Sequence, residues 1–426
     1  MKGLKISLVI MAIALLTIGL NGIAYTFHSG GVAECEGCHS MHTPQAGGSS
    51  LLVGTDQSST CLTCHQNAND TGPSSYHVST IDSRLTAGLS PLQRTPGGDF
   101  GWLKKNYSAT SGTNSYSEEG SVHGHNVIAA DFGYLVDSNN STAPGGTFPS
   151  AQLACNSCHD PHGTYRRLQS GTIATTGAPI KASGSYNGAS NEPTATEAVG
   201  VYRLLAGAGY TKGNITFNGV PAAKVPSSYN QSEATNQVRV AYGVSTANGH
   251  VTWGQWCATC HTDMHSSGSN YVHPVDWNLN STIATLYGQY KKSGDLTGSP
   301  ATSFLSLVPF ATNSSDYTVL AGFASNTGAA ASLAGPGSTD QVTCLSCHRA
   351  HASGFRHALR FDQEYEFTTV NGNYVGSDNP SVTGSRAALQ HRGRLMAEWQ
   401  AAYYDRPATV FATYQRVLCN KCHAKD

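Results

Sequence analysis

The twelve cysteines of the chain share one spacing. Each lies in a Cys-x-x-Cys pair, and a histidine directly follows every pair. Two thiols at this spacing can bond the two vinyl groups of one haem, while the adjacent imidazole binds its iron. The pattern therefore predicts six covalently bound haem c groups. In chain order, sites 1 to 6 are Cys35/Cys38/His39, Cys61/Cys64/His65, Cys155/Cys158/His159, Cys257/Cys260/His261, Cys344/Cys347/His348 and Cys419/Cys422/His423.

Three other uses of paired cysteines explain less. A zinc site needs two pairs that converge on one ion, and a redox motif needs one pair alone. An exported chain with twelve cysteines could also form six disulfides. None of these uses accounts for a histidine after all six pairs, so we interpret the motifs as haem attachment sites.

Each iron can take a second ligand on its other face. Methionine would raise the reduction potential, but beyond the N-terminal apolar run the chain has only Met41, Met264 and Met396. Histidine is more plentiful, so we expect two histidines on every iron and low potentials. The histidines outside the motifs are His28, His42, His77, His123, His125, His162, His250, His265, His273, His351, His357 and His391.

Four motifs carry another histidine three or four residues downstream, namely His42, His162, His265 and His351. The motif histidine already occupies one face of its own haem, so its close neighbour cannot easily reach the other face. It can reach the iron of an adjacent haem. His273 precedes Pro274, which restricts its backbone and suits a fixed ligand. His265 would compete with His273 for the same surroundings.

The N-terminus has the pattern of an export signal. Lys2 and Lys5 precede an apolar run over 6–20, and small residues follow at Gly22 and Ala24. The run is short for a membrane span. We expect residues 1–26 to be a cleaved signal peptide, residues 27–426 to be a single hexahaem domain without a membrane span, and the product to be exported to the cell surface.

Composition argues against an ordinary side-chain core. Apolar residues, counted with tyrosine and without glycine, make up 39% of the chain, and charged residues make up 12%, against about 25% charged in typical soluble domains. Such a chain buries little apolar surface to offset its ordering entropy. Six porphyrins would supply the missing apolar surface. We therefore expect mostly irregular coil with a few short α-helices and minimal β-structure, organised by haem.

The few regular elements follow from local pattern. Apolar spacing predicts helices over 281–293 and 385–404, and Pro407 predicts the start of a last helix that runs to Cys419. Short strands are expected at 237–242 and 366–370. Stretches rich in Gly, Ser, Thr and Asn predict loops at 137–150 and 182–197.

The charge balance excludes one class of partner. The formal net charge is −1, and loss of Lys2 and Lys5 with the signal would make it −3 (23 − 26). Haem propionates add further negative charge. No basic stripe is present, so nucleic acid is not an expected partner.

Several runs resemble the outer-surface hexahaem c-type cytochromes of metal-reducing bacteria, which form filaments called microbial nanowires. The likeness extends nearly end to end, apart from a local insertion at 247–252. The runs are FHSGGVAECEGCH at 27–39, DTGPSSYH at 70–77, TPGGDFGW at 95–102, CHDPHG at 158–163, YKKSGDLTG at 290–298 and LCNKCHAKD at 418–426.

The resemblance implies a coil-rich fold, two histidines on every iron, and a continuous haem chain along a polymer. It also implies that His42 binds the iron of site 5 in a neighbouring subunit. Eight histidines match the family's second ligands and compete for six places: His28, His42, His77, His125, His162, His265, His273 and His351.

We therefore predict a non-enzymatic protein for extracellular electron transfer. Its subunits would polymerise head to tail, and its partners would be other cytochromes and external acceptors such as metal oxides or partner cells. One alternative is a soluble monomeric electron shuttle with all second ligands from its own chain. Another is a multihaem reductase of a small molecule, which would need an open iron position.

Overall fold

Short elements joined by long irregular segments make up the structure, a computed structural model. It describes residues 35–42, 51–66, 76–174, 180–182, 192–226, 238–244, 251–265, 274–325 and 330–423. The α-helices in these ranges are α1 Cys35–Cys38, α2 Gln57–His65, α3 Trp253–Ala258, α4 Thr262–His265, α5 Asn280–Gln289, α6 Tyr317–Phe323, α7 Cys344–Cys347, α8 Ala387–His391, α9 Met396–Ala402 and α10 Asn420–His423.

Single turns of 3₁₀-helix are as frequent as α-helices. They lie at Asp82–Arg84, Phe100–Lys104, Gly120–His123, Ala130–Phe132, Ser150–Gln152, Cys155–Ser157, Tyr202–Leu204, Pro300–Thr302, Ala330–Leu333, Arg356–Ala358 and Ala408–Val410. Most span three residues, the usual length for this strained hydrogen-bond geometry.

The β-structure consists of small hairpins and one four-stranded sheet. The strands are β1 Tyr107–Ser111, β2 Asn114–Glu118, β3 Arg166–Arg167, β4 Ile173–Ala174, β5 Ile180–Ala182, β6 Ala198–Gly200, β7 Thr211–Lys212, β8 Ile215–Thr216, β9 Ala223–Lys224, β10 Ala241–Tyr242, β11 Thr369–Val370 and β12 Asn373–Tyr374. The sheet has the order β4-β3-β6-β5, and the pairs β1-β2, β7-β8, β9-β10 and β11-β12 are antiparallel. The predicted fold class, mostly coil with few short elements, is confirmed.

The buried apolar side chains form separate clusters instead of one core. The largest surrounds Trp102, Tyr287, Trp399 and Tyr403, and a second surrounds Trp253. Aromatic rings dominate both because each buries a large area. The described residues contain no helix that is long and apolar enough to cross a membrane.

Two of the three predicted helices form. The helix expected at 281–293 is α5, which stops at Gln289 because Tyr290 is extended. The helix expected at 385–404 is broken into α8 and α9, since Arg392 and Gly393 adopt left-handed φ angles of 52° and 77°. The helix expected from Pro407 to Cys419 is wrong, because only Ala408–Val410 forms a turn there.

The predicted strands are shorter than expected. Only β10 and β11 form within 237–242 and 366–370, and Gln237 lies outside the described residues. The loop at 137–150 is confirmed up to the turn that begins at Ser150. Of the loop at 182–197, residues 183–191 lie outside the description and 192–197 are irregular.

Candidate haem sites

The Cys-x-x-Cys-His motifs form single helical turns. At sites 1, 3, 4, 5 and 6 the histidine N–H donates to the carbonyl of the first cysteine, four residues back, at 2.8 to 3.1 Å. Site 2 lies inside α2. Residues three and four apart share one helix face. The turn therefore presents both thiols and the imidazole together.

Polar caps fix the start of the three helices that include the first cysteine of sites 2, 4 and 5. Asp56 accepts from the Ser59 N–H at 2.8 Å and begins α2, ahead of Cys61. Thr252 forms a capping box with Gln255 at the start of α3, and Thr343 caps α7. Such caps satisfy N–H groups that a helix leaves without partners. The motifs are thus held in shape by their own flanking residues.

Thiols of successive sites are neighbours in space. Burial raises the pKa of Cys158 to about 12, and the nearby Cys260 adds to the shift. A hydrogen bond to Cys155, more than burial, raises the pKa of Cys61. The neighbouring pairs are Cys38 with Cys64, Cys61 with Cys155, Cys158 with Cys260, Cys257 with Cys344 and Cys347 with Cys419. The six sites therefore follow one another in space in chain order.

Backbone carbonyls contact Nδ1 of five imidazoles of the candidate set. Contacts of 2.7 to 2.8 Å join His65 to Tyr76, His125 to Ala350, His159 to Arg203, His261 to Pro144, and His348 to His357. A carbonyl can only accept, so each Nδ1 carries the proton. Nε2 is then left with its lone pair, as an iron ligand requires.

Burial also favours the neutral imidazole at His351 and His125. Desolvation lowers the pKa of His351 to about 3, and the neighbouring His159 lowers it further. Desolvation lowers the pKa of His125 to about 4, with His261 as the next cause. A neutral imidazole is the form that binds metal. The two pKa shifts also show which motif histidine lies beside each of these residues.

Three pairs of imidazoles are spaced as if each pair shared one metal atom. Ring centroids lie 6.5 Å apart for His39 and His162, 6.3 Å for His159 and His351, and 6.0 Å for His125 and His261. Metal–nitrogen bonds of about 2.0–2.1 Å on both sides would place two centroids about 6.3 Å apart. These residues fit an iron between two axial imidazoles.

Site 2 takes its neighbour from the segment that follows it. His77 is buried and lies near enough to His65 to lower its pKa, after the larger effects of burial and of the Tyr76 carbonyl, which raises it. The Val78 N–H donates to the His65 carbonyl at 2.9 Å. The short connection from His65 to His77 thus returns a second imidazole to the same site.

Sites 1, 3 and 5, here called the odd sites, share a backbone strap that the sequence did not predict. At site 3 the Asp160 N–H donates to the Leu204 carbonyl at 2.8 Å, and the Ala206 N–H donates to the Cys158 carbonyl at 2.9 Å. Leu205 forms an antiparallel bridge with His159. The strap of site 3 therefore pairs with both sides of its histidine.

The same bonds recur at the other two odd sites. The straps are Leu51–Leu52–Val53 at site 1, Leu204–Leu205–Ala206 at site 3 and Ala358–Leu359–Arg360 at site 5. The first residue of each is left-handed, with φ of 50°, 51° and 55°. The common leucine at the middle position is the one sequence signal that could have revealed the repeat.

The remaining candidate histidines are placed as follows. His42 is exposed, and His28 and His273 lie outside the described residues. His265 Nε2 contacts Asp276 Oδ2 at 2.9 Å, and this carboxylate also accepts from Thr252 and Gly254 at the start of α3. His265 is therefore engaged away from the imidazole pairs.

Three described histidines outside the candidate set have other partners. His123 is fully buried between the Trp102 carbonyl and Glu118. His357 supplies the carbonyl for His348, and His391 accepts from the Gly393 N–H. These contacts agree with leaving all three out of the ligand set.

Comparison with known proteins supports covalent haem attachment in this chain. No family model matches the chain. C-type cytochrome OmcS of Geobacter sulfurreducens is 52% identical over 450 aligned positions, covering the whole of both chains. Cryo-EM structures of the OmcS nanowires and of the outer membrane cytochrome S filament, both from Geobacter sulfurreducens, superpose with TM-scores of 0.82. They are 50% and 52% identical and cover 94% of this chain and all of theirs. The chain belongs to the family of c-type cytochromes, with covalently bound haem c, that OmcS represents.

Proposed function

We propose that this protein carries electrons outside the cell as the repeating subunit of a filament, with haem c at each of its six sites. Three observations support the proposal. The chain is 52% identical to OmcS, its fold matches chains from OmcS filaments, and its six attachment sites lie in one series. The bound haem irons would supply the chemistry, which is reversible uptake of one electron each.

The protein's own residues hold and orient the groups. The two thiols of each motif form the thioether bonds, and the motif histidine binds the iron from the same side. We assign the second position of sites 1 to 4 to His162, His77, His351 and His125, in that order. The carbonyl on Nδ1 of His125 fixes the tautomer of that ring and increases the basicity of its Nε2.

One regularity carries the proposal of a filament. At odd sites the downstream histidine serves the odd site before its own. His162 follows the motif of site 3 and faces His39 of site 1, and His351 follows the motif of site 5 and faces His159 of site 3. His42 follows the motif of site 1, which has no earlier odd site in its own chain.

A second copy of the chain completes this series. In a head-to-tail polymer, the odd site before site 1 is site 5 of the adjacent subunit. We therefore assign His42 to the second position of the partner's site 5, in line with the family resemblance. Assembly then becomes part of iron ligation, and the contact between subunits repeats a contact already made twice inside the chain.

The second ligand of site 6 is the last to be assigned. His265 is engaged with Asp276, so the candidates that remain for His423 are His28 and His273. With two histidines on every iron, no position stays open for a substrate, and the protein acts as a carrier and not as an enzyme. We further propose that residues 1–26 are removed on export, that 27–426 act as one unit, and that other cytochromes and extracellular acceptors exchange electrons with the filament.

The test compares filaments of wild type, His42→Ala and the control His391→Ala by negative-stain electron microscopy, with carbon monoxide binding to the reduced protein. His42→Ala should give separate particles with about one carbon monoxide-binding iron per chain. His391→Ala should form filaments and bind none. Normal filaments from His42→Ala contradict the proposal, and small particles from wild type favour the soluble shuttle.

A further inference from the structure

The residues assigned as second ligands of sites 3 and 4 are joined directly. The His125 N–H donates to the His351 carbonyl at 2.9 Å, and His125 Nδ1 donates to the carbonyl of Ala350 at 2.8 Å. These two histidines are 226 positions apart in the chain and face different motifs. One short peptide ladder therefore sets the position of both imidazoles.

A third segment closes the arrangement from the other side. The His351 N–H donates to the Gly97 carbonyl at 2.7 Å, and Ala352 forms backbone bridges with both Gly98 and Gly124. The Ser353 N–H donates to the His123 carbonyl at 3.0 Å. We call the three segments, 97–98, 123–126 and 350–353, the clasp.

Glycine is required where the strands of the clasp meet. A Cβ on Gly124 would lie 2.3 Å from the His351 oxygen and 2.6 Å from the Ala352 Cα. A Cβ on Gly98 would lie 1.8 Å from the Ala352 oxygen. These obstacles are backbone atoms, so a side chain could enter only if the ladder moved. Ala352 is fully buried between the two glycines.

A buried ionic network of His123, Glu118 and Arg394 packs against the clasp. His123 bonds the Trp102 carbonyl and Glu118 at 2.8 and 2.7 Å, and Glu118 pairs with Arg394. Arg394 also donates to the Gly354 carbonyl at 2.9 Å. The ring of Phe100 stacks on His351 with 4.7 Å between centroids. Segments 123–126 and 350–353 of the clasp are thus both anchored to this group of buried side chains.

We propose that the clasp holds the second ligands of sites 3 and 4 as one rigid unit, with Gly124 as a positioning residue for both irons. The inference rests on the ligands assigned under the proposed function. It adds that a displacement of the clasp backbone disturbs ligation at both of these neighbouring sites.

The test counts irons that bind carbon monoxide in reduced filaments, after the haem content per chain is measured. Gly124→Ala should yield about two such irons, because the displaced ladder moves both imidazoles. His125→Ala and His351→Ala should each yield one. The control Gly322→Ala, whose Cβ would meet nothing within 4 Å, should yield none.

The outcomes distinguish a failure of the clasp from a failure of the ligand assignment. One binding iron in each histidine variant, but none or one in Gly124→Ala, overturns the clasp and leaves the ligand assignment intact. No binding iron in either histidine variant overturns the ligand assignment and the clasp with it.

A milder variant covers the case in which Gly124→Ala fails to fold. A Cβ on Gly97 would lie 3.0 Å from His351 Nδ1, so Gly97→Ala presses on that ring by a few tenths of an ångström. In a rigid unit, the electron paramagnetic resonance g values of two low-spin irons should change. A change confined to one iron contradicts the proposal.

Discussion

The odd sites and the even sites solve one problem with different backbones. Each odd site pairs its histidine with an antiparallel strap that begins at a left-handed residue. Among the described residues, sites 2 and 4 have no such strap. Site 2 uses the Tyr76 carbonyl, 11 residues downstream, and site 4 uses the Pro144 carbonyl, 117 residues upstream. The odd sites are one design used three times, whereas sites 2 and 4 are individual constructions.

The difference explains how one subunit can continue into the next. A repeated strap places the downstream histidine of each odd site in the same relation to its motif. Two of these histidines face an earlier odd site of their own chain, and under the proposed ligation the third, His42, serves another chain. Under the same proposal His77 and His125 serve sites 2 and 4 from within the chain, so these two sites need no such relation.

The largest expected effect is at the buried network of His123, Glu118 and Arg394. This network packs against the clasp, which joins the ligands assigned to sites 3 and 4. Glu118→Gln should lower the free energy of unfolding by about 3–5 kcal/mol, because Arg394 keeps a buried charge without its carboxylate. Guanidinium denaturation measures the loss. Glu366→Gln is the control, since its pair with Arg416 is half exposed and worth about 0–1 kcal/mol. Equal losses in both variants would contradict this role.

The same variant should change the acid stability. Burial alone raises the pKa of Glu118, but the His123 hydrogen bond and the Arg394 charge outweigh it and hold the pKa well below its ordinary value. A depressed pKa stabilises the fold above the unfolded pKa of about 4.3. This part of the stability is lost as the pH falls below that value. Denaturation at stepped pH should show a flatter acid limb for Glu118→Gln.

The sequence predicted the attachment chemistry and the amount of regular structure, since both depend on residue type and local spacing. It also predicted α5, whose apolar spacing is local. It missed the break between α8 and α9, which Gly393 signals as a helix-ending residue but Arg392, with its left-handed φ, does not. It predicted a helix after Pro407 where tertiary contacts keep the chain irregular.

The straps and the clasp were beyond sequence reasoning for a physical reason. Left-handed backbone is normally marked by glycine or asparagine, yet the straps begin with Leu51, Leu204 and Ala358. The clasp depends on Gly98 and Gly124, two of 46 glycines, and on contacts between residues far apart in the chain. Such positions are decided by surroundings that only the folded chain supplies.

A second test breaks an even site alone. Gly146 follows the Pro144 carbonyl that holds His261, and a Cβ there would lie 1.8 Å from the Cys260 oxygen. Gly146→Ala should cost about 1–3 kcal/mol of unfolding free energy, the usual cost of overpacking. It should also weaken ligation at site 4 while filaments persist. Electron microscopy and carbon monoxide binding check both parts, and a loss of filaments would show that site 4 shapes the subunit contact.

The smallest expected effect concerns the strap of an odd site. Ala358 at site 5 is buried with φ of 55°, and Ala401 in α9 is buried to nearly the same degree with helical φ. Glycine adopts left-handed φ freely, whereas a residue with a Cβ is strained there by about 1–2 kcal/mol. In a helix the same change costs about 1 kcal/mol.

Ala358→Gly should therefore leave the unfolding free energy within about 0.5 kcal/mol of wild type, because relief of strain offsets the lost methyl group and the added chain entropy. Ala401→Gly, which removes the same methyl group, should cost about 1 kcal/mol. Parallel denaturation curves give the difference between the two variants. If both lose equally, the strap is unstrained, and its left-handed residue is an accident of sequence at site 5. If only Ala401→Gly loses stability, the strain at Ala358 is real. The fold then retains a strained turn because it places the His357 carbonyl on the imidazole of His348, the proposed iron ligand of site 5.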